Sequence, residues 1–325
     1  MSIIKVAVAT NSLGKSAAGH TIHRKLQAAK THGFDGLEVA FECLEAQAAT
    51  YPSLQSRKDR LLAAAEDIYK AAKSLGLELI ALNPFGAYDG LKDPHDVNIR
   101  LQEAELWCQL CQVMHIDILQ SSRRICAHWV LLTQRYDLRV AYEAPSWGIH
   151  SNTWQQVQKI IDLVDLPNVG HCLDTFHIAS KEAGDPFSSI SPIRADGYRN
   201  LQSSLDELKR IVKPENIVYF QLSDATAANP DQEGYPRRDM NQPPFMTQSR
   251  NCRIYPCEES RGGCLPVVDV AKAVFDLGYC GWVSMEVFHT DMWEKRNSVP
   301  DDWARRGMES WKKLARRCGL NSSKL

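Results

Sequence analysis

The stretch Ala28-Ala29-Lys30-Thr31-His32-Gly33-Phe34-Asp35-Gly36-Leu37-Glu38-Val39-Ala40-Phe41 contains a helix end, a glycine turn and an apolar strand in direct succession. A left-handed cap at Gly33 followed at once by a strand is what a compact helix-to-strand turn needs. The same junction returns at Leu75-Gly76-Leu77 and at Leu277-Gly278-Tyr279. Working outward, short β-branched runs alternate with long amphipathic ones over the whole chain. The runs predict strands from Ile4 to Thr10, Gly36 to Phe41, Leu77 to Pro84, Ile116 to Gln120, Leu138 to Ala144, Asn168 to Leu173, Ile217 to Leu222 and Gly281 to Phe288. Between them the 3.6-residue period predicts helices such as His20 to His32, Asp59 to Leu75, Val97 to Met114, Trp154 to Val164, Leu201 to Val212 and Val268 to Leu277. Strand-helix alternation implies parallel strands with helical crossovers, and eight units make a closed (β/α)8 barrel.

A chain of 325 residues is long enough for two ordinary domains or for one barrel with insertions. No Gly, Ser or Pro linker divides the units, so residues 1–325 are expected to form a single domain. The longest irregular stretch, about 223–265, follows strand seven on the face where barrel active sites lie. A net charge of -1 lacks the basic excess that drives nucleic-acid binding. No apolar run is long enough to span a bilayer and no leader stands at the N-terminus, which predicts a cytoplasmic protein without a membrane partner. The sequence leaves a homo-oligomer open. Ten cysteines then read as reduced thiols, and the lone pair Cys108 and Cys111 as packing on a helix face. Asn11 to Ser16 resembles the end of a phosphate-binding loop but has Ala9 where that motif requires glycine, and Asn321-Ser322-Ser323 matches the glycosylation pattern by chance.

Buried strands have no packing use for carboxylates, so polar residues at predicted strand ends carry the most information. Glu143, Asp174, Gln221 and Glu286 end strands five, six, seven and eight. Each alone reads as a solvated strand end, but four in phase on neighbouring strands would converge above the barrel core. Three crowded carboxylates repel one another and take up protons unless a cation neutralises them, which points to one divalent metal ion. An all-oxygen donor set favours Mg2+ or Mn2+, with Co2+ and Zn2+ also open. Glu38 and Glu42, near strand two, are out of phase with each other, so at least one belongs to the surface.

The run Tyr142-Glu143-Ala144, then Leu173-Asp174-Thr175-Phe176-His177, Phe220-Gln221-Leu222-Ser223-Asp224-Ala225 and Met285-Glu286-Val287-Phe288 resembles the xylose isomerase-like TIM-barrel superfamily. Within it, Gln221 at the third ligand position and the run Ser249 to Pro256 are similar to the fungal 3-dehydroshikimate dehydratases of quinate catabolism. That resemblance implies metal ligands at Glu143, Asp174, Gln221 and Glu286, and a catalytic His177. It further implies that Ser249 and Arg253 hold the polar end of the substrate, that His150 is a pocket histidine, and that Phe85 and Tyr88 wall the pocket. Two departures stand out: a short stretch from Gln120 to Ile125, and Cys257-Glu258-Glu259 where a glycine turn is usual.

The implied reaction is a metal-assisted dehydration of 3-dehydroshikimate to protocatechuate, with His177 removing a proton beside the ketone and Arg253 gripping the carboxylate. His171, inside strand six, reads as a packed core residue. Two rivals share the barrel: a ketose 3-epimerase using Glu143 and Glu286, and a catalytically impaired relative that only binds the metabolite. A DNA-repair endonuclease would need more strand-end histidines and a basic groove.

Overall fold

The computed structural model describes residues 4–86, 93–122, 127–188, 190–228 and 241–320. Eight parallel strands close into a barrel: β1 (Val6–Ala9), β2 (Gly36–Ala40), β3 (Glu78–Phe85), β4 (Ile118–Ser121), β5 (Arg139–Glu143), β6 (Val169–Asp174), β7 (Ile217–Leu222) and β8 (Val283–Met285). Each pairs with its sequence neighbours, and β8 closes the ring against β1 through Val6 and Val283. Gly33 has φ of 88° and donates its backbone N–H to the carbonyls of Ala29 and Lys30, while Gly278 has φ of 91°. Both are the left-handed caps that the opening junction requires.

The buried side chains divide into two sets, and where the register shifts on β3 and β7 neighbouring residues fall in the same one. Ala7, Ile80, Ala81, Ile118, Ala141, Cys172, Val218 and Tyr219, with Trp282 against them, form one compact cluster. Residues of the opposite phase, such as Val8, Val39, Leu119 and Leu173, pack outward against the helices in the larger cluster. The first set fills the barrel interior as a solid plug, so a ligand can bind only above it.

Several elements depart from the sequence expectation. Residues Phe41–Ala48 form a helix directly after β2, where a strand end was expected. Its N-cap, Ala40, offers no side-chain hydrogen bond, so no capping signal marks the start. Strand β8 is shorter than the predicted run. The 223–265 segment holds a two-stranded ribbon pairing Asp224–Ala225 with Arg253–Ile254, and the helix Pro244–Asn251. Among the described residues no helix is long and apolar enough to cross a membrane. Cys108 and Cys111 are buried and free, and burial pushes the Cys108 thiol up to about 12 and raises Cys111 well above the ordinary thiol range. Both are inert packing groups, as expected.

Candidate active site

Strand β6 ends on Asp174, and the helix Thr175–Glu182 begins on the next residue. Asp174 caps that helix, its Oδ1 accepting from the Phe176 backbone N–H at 2.7 Å. A carboxylate is favoured at this helix end by the free N–H groups there, and the cap leaves Oδ2 for other partners. Three residues on, the helix turn returns His177 beside its own cap. His177 Nε2 lies 3.4 Å from Glu143 Oε1 and 3.9 Å from Asp174 Oδ2. Glu143, Asp174 and His177 are all buried, and each offers one ligand atom within 4.8 Å of the others. Ser146 faces the other ring nitrogen, with its backbone N and its Oγ both 3.3 Å from Nδ1.

Glu286, from the end of β8, completes the acidic floor through a cation. Arg253 donates from Nη2 to Asp174 Oδ2 at 2.5 Å, and its Nη1 lies 3.3 Å from Glu286 Oε2. Its Nε and Nη2 also reach Ser223 Oγ at 3.0 and 2.6 Å. Phe176 and Phe288 cover the guanidinium at 5.0 and 5.2 Å. All three nitrogens are therefore on protein acceptors. Arg253, expected to grip a substrate carboxylate, lines the cavity and here binds the carboxylates of the site.

The remaining expectations are placed unevenly. Gln221 stands in register with Asp174 across the β6–β7 ladder. Its amide is pinned at both ends, Nε2 donating to Glu38 Oε1 at 2.8 Å and Oε1 accepting from Cys172 Sγ at 3.2 Å. Ser249 and His150 line the cavity, Ser249 buried and His150 exposed at its edge. Phe85 does not line the cavity: where the β3–β4 register shifts, its ring packs against Trp107 and Trp129 at 5.1 and 4.9 Å. Tyr88 lies outside the described residues, as does the 123–126 part of the short segment after strand four. The unusual turn at Cys257 holds without glycine: Cys257 takes φ of 61°, and the Glu258 carboxylate accepts from Arg306 Nε and Nη2, both at 2.8 Å.

Sequence reasoning missed the centre of the polar network. Glu38 is fully buried, and its Oε1 accepts from Asn83 Nδ2 at 2.6 Å, Tyr219 Oη at 2.6 Å and Gln221 Nε2 at 2.8 Å. Its Oε2 accepts from Ser284 Oγ at 2.6 Å. Asn83 in turn lies 3.2 Å from Glu286 Oε1, so Glu38 ties Gln221 and Glu286 into one frame. Glu42 is the surface partner of this pair, exposed and 2.9 Å from Lys15 Nζ.

Burial raises the carboxyl pKa at Glu38 and Glu286, and it pushes Glu143 up to about 8 with help from the Asp174 charge. Burial lowers His177 to about 3, so its ring is neutral at physiological pH. Four buried carboxylates share one guanidinium, an excess of negative charge that a further cation would relieve. The donors also suit a hard divalent ion, being carboxylate oxygens and an amide oxygen whose one partner is the weakly donating Cys172 thiol. Above them opens a cavity of about 660 Å3. Two buried amide oxygens on its lining, Asn83 Oδ1 and Gln120 Oε1, have no hydrogen-bond partner among the described residues. Unpartnered buried acceptors of this kind are where ligand hydroxyls bind.

Comparison with known proteins agrees with this geometry. Residues 26–314 match the pattern of the xylose isomerase-like TIM barrel family. The chain is 34% identical to a 3-dehydroshikimate dehydratase of Neurospora crassa, over 95% of this chain and 93% of that protein. It is 25% identical to a Pseudomonas aeruginosa protein of the same name over 86% of this chain, and spans 38% of that relative's length. Among solved structures, a fusion of a xylose isomerase-like TIM barrel with 4-hydroxyphenylpyruvate dioxygenase superposes with a TM-score of 0.71 at 23% identity. It covers 98% of this chain and 43% of that one. The chain belongs to the xylose isomerase-like TIM barrel family and, within it, to the group represented by the Neurospora protein.

Proposed function

We propose that this protein, acting as one barrel domain, dehydrates 3-dehydroshikimate to protocatechuate and water with the help of one divalent metal ion. The observation that carries the reading is the cluster of Glu143, Asp174 and His177 beneath a cavity with two unpartnered amide oxygens. The 34% identical relative of that name supports the choice of reaction.

Glu143, Asp174, Gln221 and Glu286 would hold the ion. A bound divalent cation of this kind, Mg2+, Mn2+ or Co2+, supplies Lewis-acid stabilisation to the negative charge that develops on a ketone oxygen. The protein's own groups do the rest. Asn83 Oδ1 and Gln120 Oε1 accept from the ring hydroxyls and fix the face of the ring. His177 Nε2 takes the C4 proton, leaving its electron pair to form the enolate. That pair then expels the C5 hydroxyl, which leaves as water with the proton from His177, and net transfer of a C6 proton to the C3 oxygen completes the aromatic catechol.

Burial keeps the His177 ring neutral, so a ring nitrogen is free to accept a proton. Once protonated, the same imidazole can return the proton to the departing hydroxyl. With its hydrogen on Nδ1, directed at Ser146 Oγ 3.3 Å away, the ring leaves Nε2 free to take the proton.

The test is to incubate the purified protein with 3-dehydroshikimate and, separately, with ketoses. Formation of the protocatechuate chromophore without epimerised sugar supports the reading. Epimerisation without protocatechuate would transfer the same carboxylates to the ketose epimerase reaction.

A further inference from the structure

Lys25 is fully buried, and among the described residues it is the only lysine that is. Lysines are rarely buried without a counter-charge, because an ammonium group loses its hydration there. Lys25 has no carboxylate in hydrogen-bond reach: among the described residues its Nζ meets Ser16 Oγ and Cys43 Sγ, both at 3.2 Å. Ser16 Oγ in turn lies 3.6 Å from Cys43 Sγ, which closes a triangle of amine, hydroxyl and thiol. Three separate elements bring these groups together. Lys25 stands on the helix Ile22–His32, Cys43 on the helix Phe41–Ala48, and Ser16 in the turn Ser16–Ala18. Cys43 is a free thiol, buried like Lys25, whereas Ser16 is half-buried and is the corner of the triangle that solvent reaches. The triangle adjoins the cavity rim, since Ser16 follows Lys15 and Cys43 follows Glu42, an ion pair on the cavity lining.

We propose that Lys25 and Cys43 form an oxidative cross-link, a modification site that a peroxide sets and a thiol resets. Hydrogen peroxide oxidises the Cys43 thiol to a sulfenic acid: the O–O bond breaks, one oxygen goes to sulfur and the other leaves as water. The Lys25 amine, already in contact, attacks that sulfur. An N–S bond forms, the S–O bond breaks, and the hydroxyl leaves as water with a proton from the amine. Contact is what this step needs, because a sulfenic acid without a neighbouring nucleophile is open to further oxidation, to the irreversible sulfinic acid. The bond ties the two helices together across a separation of 18 residues and fixes the β2 side of the rim. A thiol reductant attacks the same sulfur, releasing the amine and, through a mixed disulfide, the free Cys43. Neither step involves a substrate, so the site is independent of the dehydratase reading.

The test treats the full-length protein with hydrogen peroxide in the absence of thiols and maps its peptides by mass spectrometry. Cys280, exposed and free, reports that the oxidant has acted. The wild type should yield a peptide joining Lys25 to Cys43, lighter by two hydrogens than the separate pair, and dithiothreitol should restore both peptides. K25R, which keeps the charge but lacks the amine, should lose the link and accumulate Cys43 as sulfinic acid. The wild-type map decides by itself, so the result stands even where K25R folds poorly. Unmodified Cys43 beside oxidised Cys280 overturns the inference. So does wild-type Cys43 oxidised to its acids without attachment to Lys25, and so does a link that dithiothreitol leaves intact.

Discussion

His177 tests the chemistry at the scale of a single residue. Replacing it with alanine removes the ring nitrogen beside Glu143 and Asp174 but leaves the four proposed oxygen ligands. H177A should retain its metal, measured by elemental analysis after desalting, while kcat falls by about 100-fold or more. Loss of metal together with recovery of turnover in excess Mn2+ would make His177 a ligand. At this scale the sequence was legible wherever one strand's own pattern exposes the residue. Glu143, Asp174 and Glu286 interrupt apolar strand ends, and no partner is needed to notice them. Glu38 was not legible, because its burial depends on Asn83, Tyr219, Gln221 and Ser284, which come from three other strands. The same limit applies to Arg253, whose nitrogens are taken up by residues 30 to 79 positions away and by Glu286.

At the scale of elements, the ribbon that carries Arg253 is locked by a nearly buried ion pair. Glu258 and Arg306 have side-chain exposures of 8% and 10%, and Glu258 also accepts the Tyr255 backbone N–H at 3.1 Å. Removing one partner of such a pair strands the other charge. R306M should therefore lose about 3 kcal/mol of stability in denaturant unfolding, the low end for a buried pair because solvent reaches part of it. A loss below about 0.5 kcal/mol would show that the turn stands without this lock. Strands and long helices were legible from period and glycine caps, whereas the helix Phe41–Ala48 was not, lacking any side-chain cap. The family resemblance implied a wall position for Phe85, but beside the shifted β3–β4 register its ring packs on Trp107 and Trp129.

At the scale of the molecule, closure of the ring is what gives the scattered carboxylates a common site. Residues from β2, β5, β6, β7 and β8 meet above the interior plug only because β8 returns to β1. Eight alternating units made that closure legible, but the sequence could not show which amide ends stay free. The central claim is that these strand ends hold one catalytic divalent ion. With Glu143 pushed up to about 8, a proton competes with the ion at neutral pH, so affinity should rise as pH approaches 8. The most direct measurement strips the protein with a chelator, titrates Mn2+ at pH 8 and follows protocatechuate formation from 3-dehydroshikimate. The account predicts no turnover in the stripped protein and a linear rise that levels at one ion per chain. Full turnover in protein shown by elemental analysis to be metal-free, or none at any level of Mn2+, Mg2+ or Co2+, would contradict it.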